Sequence, residues 1–96
     1  MEFEWDEVKR KENLSKHGLD FLDAPILFDG PMLTKLDTRE DYGEPRWIGI
    51  GIIESICAVV AFTERSDGDV IRIISLRKAL SHERKIFEKT IQDKLA

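Results

Sequence analysis

The fold is decided by Val70-Ile71-Arg72-Ile73-Ile74-Ser75-Leu76-Arg77-Lys78-Ala79, near the end of this 96-residue chain. The segment is apolar, rich in β-branched residues and too short to show a helical period, so it predicts a strand deep within a sheet. Arg72 and Arg77 interrupt the apolar run. Because side chains alternate along a strand, we expect these two arginines on opposite faces. Arginines on a central strand typically indicate a bound anion, an ion pair or a partner surface.

Length and composition indicate a single domain spanning residues 1–96. The chain is 42% hydrophobic and 35% charged, which is typical of a folded protein and not of a disordered segment. We expect a cytoplasmic protein without a membrane partner, because no apolar stretch approaches about 20 residues and no signal peptide is recognisable. The single cysteine, Cys57, lies in an apolar run and is predicted to be buried.

Charge is distributed unevenly along the sequence. The formal net charge is −4, but residues 1–71 contain 8 Lys or Arg and 16 Asp or Glu, whereas residues 72–96 contain 7 and 3. A basic C-terminal quarter fits a surface that faces phosphates, and it fits equally a helix with a lysine-rich polar face. The overall acidity and the lack of a recognisable recognition helix argue against a plain DNA-binding domain.

Capping residues and hydrophobic periods divide the remaining sequence into helices and strands. Asp6 is a helix N-cap, Gly18 ends that helix, and Pro25 predicts a kink or a delayed start in the second helix. The predicted elements are a strand at 3–5, helices at 7–16 and 20–29, strands at 32–36, 45–53, 56–65 and 70–79, and a terminal helix capped by Ser81. This pattern indicates an α+β fold.

The register of the last hairpin decides what surrounds Arg72. With a four-residue loop, Arg72 lies opposite Thr63 and shares a surface with Arg65, which builds a cationic site. With a three-residue loop, Arg72 lies opposite Glu64 and forms an ion pair. The sequence leaves both registers open.

Short motifs occur in a fixed order along nearly the whole chain. Those of the N-terminal half are Phe3-Glu4-Trp5-Asp6, Lys9, Asn13, Lys16-His17-Gly18, Phe21, Ala24 and Phe28-Asp29. Those of the C-terminal half are Gly43-Glu44 with Arg46, Thr63-Glu64-Arg65, the segment 71–79 and Glu83-Arg84. In this order and spacing the sequence resembles the BrnT family. Pro25 and Gly30 depart from the family pattern, and both lie away from the candidate site.

The resemblance implies a RelE-like fold, which is a small twisted antiparallel β-sheet with two N-terminal helices and one C-terminal helix. It implies a ribonuclease toxin of a type II toxin–antitoxin pair that cuts RNA without a metal or cofactor and so inhibits translation and growth. The implied partner is a BrnA-type ribbon-helix-helix antitoxin, in a heterotetramer of two toxins and two antitoxins that contacts DNA only through the antitoxin. The alternative is a non-catalytic binding module or corepressor derived from such a toxin.

Metal-free RNA cleavage needs a base for the 2′-hydroxyl, cations for the scissile phosphate and an acid for the 5′-oxygen. With the resemblance, Arg72 and Arg65 are the predicted phosphate clamps, because a guanidinium offers paired donors and keeps its charge. His17 is the predicted general acid or base, because its charge changes near neutral pH. Glu44 or Glu83 is the alternative base. The structural alternative for Arg72 is an ion pair with a nearby glutamate, Glu44 or Glu64.

Four further residues are predicted to contact RNA: Lys16, Arg77, Arg84 and Trp47. Lys16, Arg77 and Arg84 would bind the phosphate backbone without sequence choice, and Trp47 would stack on a base. Structural roles are open for each of them. A lysine in the last turn of a helix often serves only as a cap, and an arginine such as Arg77 often caps a carbonyl or pairs with an acid. A tryptophan beside two alternating glycines often belongs to a core or contacts an antitoxin.

Overall fold

Within residues 1–95, which the computed structural model describes, a five-stranded sheet and three α-helices form one body. The elements are β1 (Glu2–Glu4), α1 (Glu7–His17), α2 (Ala24–Asp29), β2 (Leu33–Leu36), β3 (Trp47–Ile53), β4 (Ile56–Arg65), β5 (Val70–Lys78) and α3 (Ser81–Leu95). A 3₁₀ turn at Phe21–Asp23 precedes α2, which has Pro25 in its first turn. These bounds confirm the α+β class, the order of the elements and the delayed helix start at Pro25.

The strand order across the sheet is β1-β5-β4-β3-β2. All neighbouring strands are antiparallel except β1 and β5, which are parallel. The sheet is therefore mixed, whereas an antiparallel sheet was predicted. β1 and β5 can be parallel because they are not consecutive strands: α1, α2 and the other three strands lie between them in the chain. β4, the strand before β5, runs opposite to both. The position of β1 at the sheet edge confirms the short edge strand predicted from the sequence.

The β4–β5 hairpin pairs Thr63 with Arg72 and Arg65 with Val70. This is the first of the two registers that the sequence left open. Paired residues point to the same side of a sheet, so Thr63, Arg65 and Arg72 share one face. We call it the arginine face and the opposite one the core face.

A β-bulge changes the alternation of side chains in β5. The pairing shifts by one position between Ala61 and Phe62, so Ile74 is an extra residue in β5. Beyond the bulge, Arg77 lies on the arginine face together with Arg72. The prediction that these two arginines point to opposite faces was wrong because it assumed an unbroken alternation.

The core face packs against α2 and the 3₁₀ turn before it. Phe21 and Leu27 are fully buried there, at 0% exposure. Gly49 lies in β3 beside Trp47, and a Cβ atom at this glycine would be 2.8 Å from Met32 Sδ. The trough that the alternating glycines predicted is therefore filled by the protein's own Met32.

α1 is fixed to the sheet by the side-chain amide of Asn13. Asn13 Nδ2 donates to the carbonyl oxygens of Leu76 at 2.8 Å and Leu19 at 3.1 Å, and Asn13 Oδ1 accepts from the Leu76 N–H at 3.1 Å. The amide thus satisfies both backbone groups of Leu76 at the β5 edge beyond the end of β1, as a neighbouring strand would. This places α1 along the edge of β5.

We expect Asn13→Ala to lower the free energy of unfolding by about 2–4 kcal/mol, because it leaves two buried backbone groups of Leu76 unpaired at about 1–3 kcal/mol each. Urea denaturation followed by circular dichroism measures the change. Ser15→Ala, in the exposed part of the same helix, is the control and shifts stability by less than about 0.5 kcal/mol. Equal losses in the two variants would contradict this role of Asn13.

Candidate functional site

Arg72 of β5 lies beside Glu4 of β1, its pairing partner in the sheet. Arg72 Nη1 donates to Glu4 Oε2, and the two side chains are 31% and 40% exposed. The sequence suggested Glu44 or Glu64 as the carboxylate partner. The partner is Glu4 instead, because the parallel pairing of β1 brings this residue to the arginine face.

Arg65 of β4 contacts Glu44 of the loop between β2 and β3. Arg65 Nη2 lies 3.6 Å from Glu44 Oε2, and the side chains are 45% and 38% exposed. Ion pairs this exposed contribute about 0–1 kcal/mol. The pair therefore holds Arg65 only weakly.

A cavity of about 80 Å³ lies at the end of the arginine face where α1 begins. Five of its seven lining residues are charged, and the lining consists of Asp6, Lys9, Glu44, Arg46, Arg72, Ile73 and Ile74. Glu44 belongs both to this lining and to the ion pair with Arg65. The structure thus brings together three of the predicted catalytic residues, which are Arg65, Arg72 and Glu44.

The loop at residues 37–46 is organised by the buried carboxylate of Asp37. This carboxylate accepts hydrogen bonds from Arg39 Nε at 2.9 Å, from Arg39 Nη2 at 2.8 Å and from the Tyr42 hydroxyl at 3.1 Å. The hydrogen bonds from the Arg39 guanidinium hold the pKa of Asp37 well below its usual range. The loop is therefore anchored by an ionised group inside it.

The same loop is attached to the sheet near Arg46. The Asp37 N–H donates to the Arg46 carbonyl at 2.7 Å, and Thr63 Oγ1 donates to the Pro45 carbonyl at 2.8 Å. The Arg46 guanidinium lies over the Tyr42 ring, with Cζ 4.1 Å from the ring centroid. These contacts fix the part of the loop that presents Arg46 to the cavity.

His17 and Lys16 lie at the other end of α1 from the cavity. Lys9 lines the cavity, and His17 is eight residues further along the helix, which corresponds to about 12 Å at 1.5 Å per residue. Gly18 follows with φ 73° and ends the helix, as predicted. The structure does not bring His17 together with Arg72 and Glu44, and the last-turn position fits the capping alternative.

Arg77 is held by a two-pronged ion pair with Glu83 of α3. Its Nη1 and Nη2 lie 2.8 and 2.9 Å from the Glu83 oxygens, and the Leu80 N–H donates to the same carboxylate at 2.8 Å. Glu83 therefore caps the start of α3, whereas the predicted cap Ser81 is already in the helix. The hydrogen bonds from Arg77 lower the pKa of Glu83 to about 2. A carboxylate with so low a pKa is a poor general base.

The two remaining predicted RNA contacts, Arg84 and Trp47, lie away from the cavity. Arg84 is exposed on α3, with Nε 3.8 Å from Glu88 Oε1. Trp47 pairs with Phe62 in the sheet and packs against the buried cluster of the core face. Trp47 thus has the core position that was its structural alternative.

Comparison with known proteins assigns the chain to a family. Residues 5–83 match the family described as "Ribonuclease toxin, BrnT, of type II toxin-antitoxin system". The chain belongs to the BrnT family. This match confirms the resemblance seen in the motifs, and BrnT membership implies an antitoxin as partner and RNA as substrate. No curated protein matches the chain.

The sequence predicted no functional role for two residues of the cavity in this BrnT-family chain, Lys9 and Arg46. Both belong to motifs of the family resemblance. The sequence pattern nevertheless places Lys9 on a helix surface, as an ordinary lysine, and Arg46 at the polar start of a strand. Only the packing of α1 and of the 37–46 loop against the β5 bulge brings them together. Among residues 1–95, no three His, Cys, Asp or Glu side chains are grouped as a metal site. No helix in this part of the chain is long and apolar enough to span a membrane.

The ion pair of Glu83 predicts how stability depends on pH. Because the folded-state pKa of Glu83 is lowered to about 2, the pair stabilises the protein above the unfolded pKa of about 4.3, and this contribution is lost as the pH falls toward 2. We expect Glu83→Gln to lower the free energy of unfolding by about 1 kcal/mol at pH 7. Urea denaturation from pH 7 down to about pH 3 should show the difference from wild type shrinking.

Glu88→Gln is the matched control, because Glu88 lies on the same helix with 63% of its side chain exposed. It should change stability little at any of these pH values. A deficit in Glu83→Gln that stays constant with pH would contradict the electrostatic origin.

Proposed function

We propose that this chain is a ribonuclease toxin that cuts RNA without a metal at the cavity on the arginine face. The observation that carries the proposal is the gathering of Arg72 and Glu44 with two further cations, Lys9 and Arg46, around a space of about 80 Å³. Three of the lining residues are cations, which suits an anionic phosphate group. Membership of a ribonuclease toxin family supports RNA as the substrate.

The chemistry begins with a proton acceptor for the 2′-hydroxyl of RNA. Glu44 fits this role, because its carboxylate lines the cavity together with Arg72. The deprotonated 2′-oxygen attacks the adjacent phosphorus, the bond to the 5′-oxygen breaks, and the products are a 2′,3′-cyclic phosphate and a 5′-hydroxyl. The 5′-oxygen takes its proton from the Lys9 ammonium or from water.

The guanidinium groups act on the charge that develops during this step. Arg72 donates hydrogen bonds to the phosphate oxygens as their negative charge increases. Arg65 orients Glu44 through the ion pair between β4 and the loop. These roles use only side chains that the structure holds at one end of the arginine face.

The contact between Arg72 and Glu4 must open for a phosphate to bind. Both side chains are partly exposed, and such pairs are weak because water solvates the separated charges well. A phosphodiester offers the guanidinium two acceptor oxygens in its place. Glu4 therefore acts as an exchangeable partner that keeps Arg72 extended until RNA arrives.

Four residues outside the cavity take supporting roles in this proposal. His17 and Lys16 at the end of α1, Arg77 on β5 and Arg84 on α3 contact the RNA backbone without reading sequence. His17 is too far along α1 to exchange a proton at the cavity of Lys9 and Arg72. The proposal therefore moves the base role from His17 to Glu44, the alternative that the sequence offered.

We also propose a BrnA-type ribbon-helix-helix antitoxin as the partner, in a heterotetramer of two toxins and two antitoxins. Support comes from membership of a type II toxin–antitoxin family. The net charge of −4 disfavours direct binding of the toxin to DNA, so DNA is contacted through the antitoxin. The toxin acts in the cytoplasm, where RNA cleavage inhibits translation and growth.

A second candidate function is a non-catalytic binding module derived from such a toxin. The observation that favours it is that a carboxylate lies within 4.0 Å of each of the four predicted arginines: Arg65, Arg72, Arg77 and Arg84. In a non-catalytic binding module, these arginines would stabilise the fold and an interface with a partner protein. Activity measurements separate the two functions.

Purified wild type is expected to cleave single-stranded RNA in excess EDTA, and Arg72→Ala to lower kcat/KM by about 10²–10³-fold through loss of a donor to the phosphate. Gel analysis of end-labelled RNA measures both. Arg65→Ala should also lower the rate, whereas Lys11→Ala, an exposed lysine of α1, should not. Intact RNA under all conditions would favour the binding module, and cleavage abolished only by EDTA would contradict metal independence.

Glu44→Gln is expected to lower the cleavage rate by about 10²–10⁴-fold, the usual contribution of a general base. His17→Gln should leave the rate within about threefold of wild type, because His17 lies eight residues, or about 12 Å, along α1 from Lys9. Single-turnover rates between pH 5 and 8 provide the measurement. The opposite ranking of the two variants would return the base role to His17.

A further inference from the structure

Arg46 differs from the other arginines around the site in having an unused donor. Its Nε atom is buried and makes no hydrogen bond to any of residues 1–95. Within the same residues no carboxylate lies at ion-pair distance from it, whereas Arg39, Arg65, Arg72 and Arg77 each have one. A buried donor without an acceptor is destabilising. Because Arg46 lines the cavity, a ligand bound there can supply the acceptor.

The two carboxylates of the cavity are already engaged elsewhere. Asp6 Oδ1 accepts the N–H groups of Val8 and Lys9 as the cap of α1, at 2.9 and 3.2 Å. Glu44 contacts Arg65. Neither carboxylate neutralises Arg46, so the guanidinium stays available for an anion.

The orientation of Arg46 is fixed by the Tyr42 ring beneath it. Arg46 Cζ lies 4.1 Å from the ring centroid, a distance at which a cation is attracted to the aromatic face. The Tyr42 hydroxyl donates to the buried Asp37 carboxylate at 3.1 Å, which fixes the ring in turn. A chain of contacts from Asp37 through Tyr42 thus presents Arg46 to the cavity before any ligand binds.

We infer that Arg46 is a phosphate-binding residue of this site and that Tyr42 is its positioning residue. The inference rests on the proposed function, because the ligand is a phosphodiester of single-stranded RNA. Lys9 completes the subsite as a further cation of the lining. Within residues 1–95, the lining of the cavity contains cations that bind phosphate oxygens and no aromatic ring that could stack on a base, so this subsite contributes affinity without base preference.

Binding of a single-stranded oligoribonucleotide with 2′-O-methyl ribose at every position tests the inference, because this probe has no 2′-hydroxyl and cannot be cleaved. Fluorescence anisotropy at 50–200 mM NaCl gives the slope of log affinity against log salt. Each phosphate contact to a single strand contributes about 0.7 to this slope. We expect Arg46→Gln and Lys9→Gln each to reduce this slope by about 0.7. Between 50 and 200 mM NaCl, the fold-loss of affinity in each variant should therefore be about 2.6 times smaller than in the wild type.

Matched variants separate binding from structural effects. Lys11→Gln, on the same helix as Lys9, should keep the wild-type slope. Tyr42→Leu should reduce the slope as Arg46→Gln does, whereas Tyr42→Phe keeps the aromatic face, loses only the hydrogen bond to Asp37 and should reduce the slope less. If thermal melting shows that Arg46→Gln does not fold, the slopes of Lys9→Gln, Tyr42→Leu and Tyr42→Phe test the inference. Lys9 is exposed.

Wild-type slopes in Arg46→Gln or in Lys9→Gln would overturn the subsite, as would wild-type protein that does not bind the probe. A wild type that binds with the expected slopes but leaves unmodified RNA intact would support the subsite and refute the proposed cleavage. The binding measurement therefore tests the phosphate subsite, and the cleavage measurement tests the proposed ribonuclease activity.

Discussion

The extra residue Ile74 in β5 is the constraint on which the site depends. Leu76 is fully buried in the core, whereas Arg72, four residues earlier, lies on the opposite face. In a regular strand two residues separated by four positions point to the same side. The bulge removes this conflict, so one strand contributes Leu76 to the core and both Arg72 and Arg77 to the arginine face. Without it, either a charge would be buried or the arginines would separate.

Two polar anchors then bring the other parts of the site to this strand. Asn13 binds the backbone of Leu76 and so fixes α1, whose first turns carry Lys9. Asp37, buried and ionised, fixes the loop that carries Glu44 and Arg46. Burial of polar groups is acceptable at both places because the groups are hydrogen-bonded. The cations of the cavity repel one another, and this repulsion is reduced by the interspersed carboxylates.

Much of the fold followed from local sequence signals. The Asp6 and Gly18 caps, the strand periodicity and the β4–β5 hairpin were predictable because each depends on neighbouring residues. The parallel pairing of β1 and the bulge were not, since both arise from contacts between distant segments. The composition of the site was only partly predictable for the same reason, because it depends on contacts between distant segments. Arg72, Arg65 and Glu44 were predicted as site residues with the help of the family resemblance. The distance of His17 from the cavity and the position of Arg46 in its lining depend on the three-dimensional packing.

The parallel pairing of β1 with β5 also affects when the cavity can form during synthesis of the chain. Glu4 pairs with Arg72, and Asn13 binds Leu76, so the N-terminal segment finds its partners only after most of the chain has been made. Until β5 leaves the ribosome, Lys9 and Arg72 cannot meet, and the intervening strands can form without them. A growing polypeptide therefore carries no assembled cavity until most of its sequence has been made.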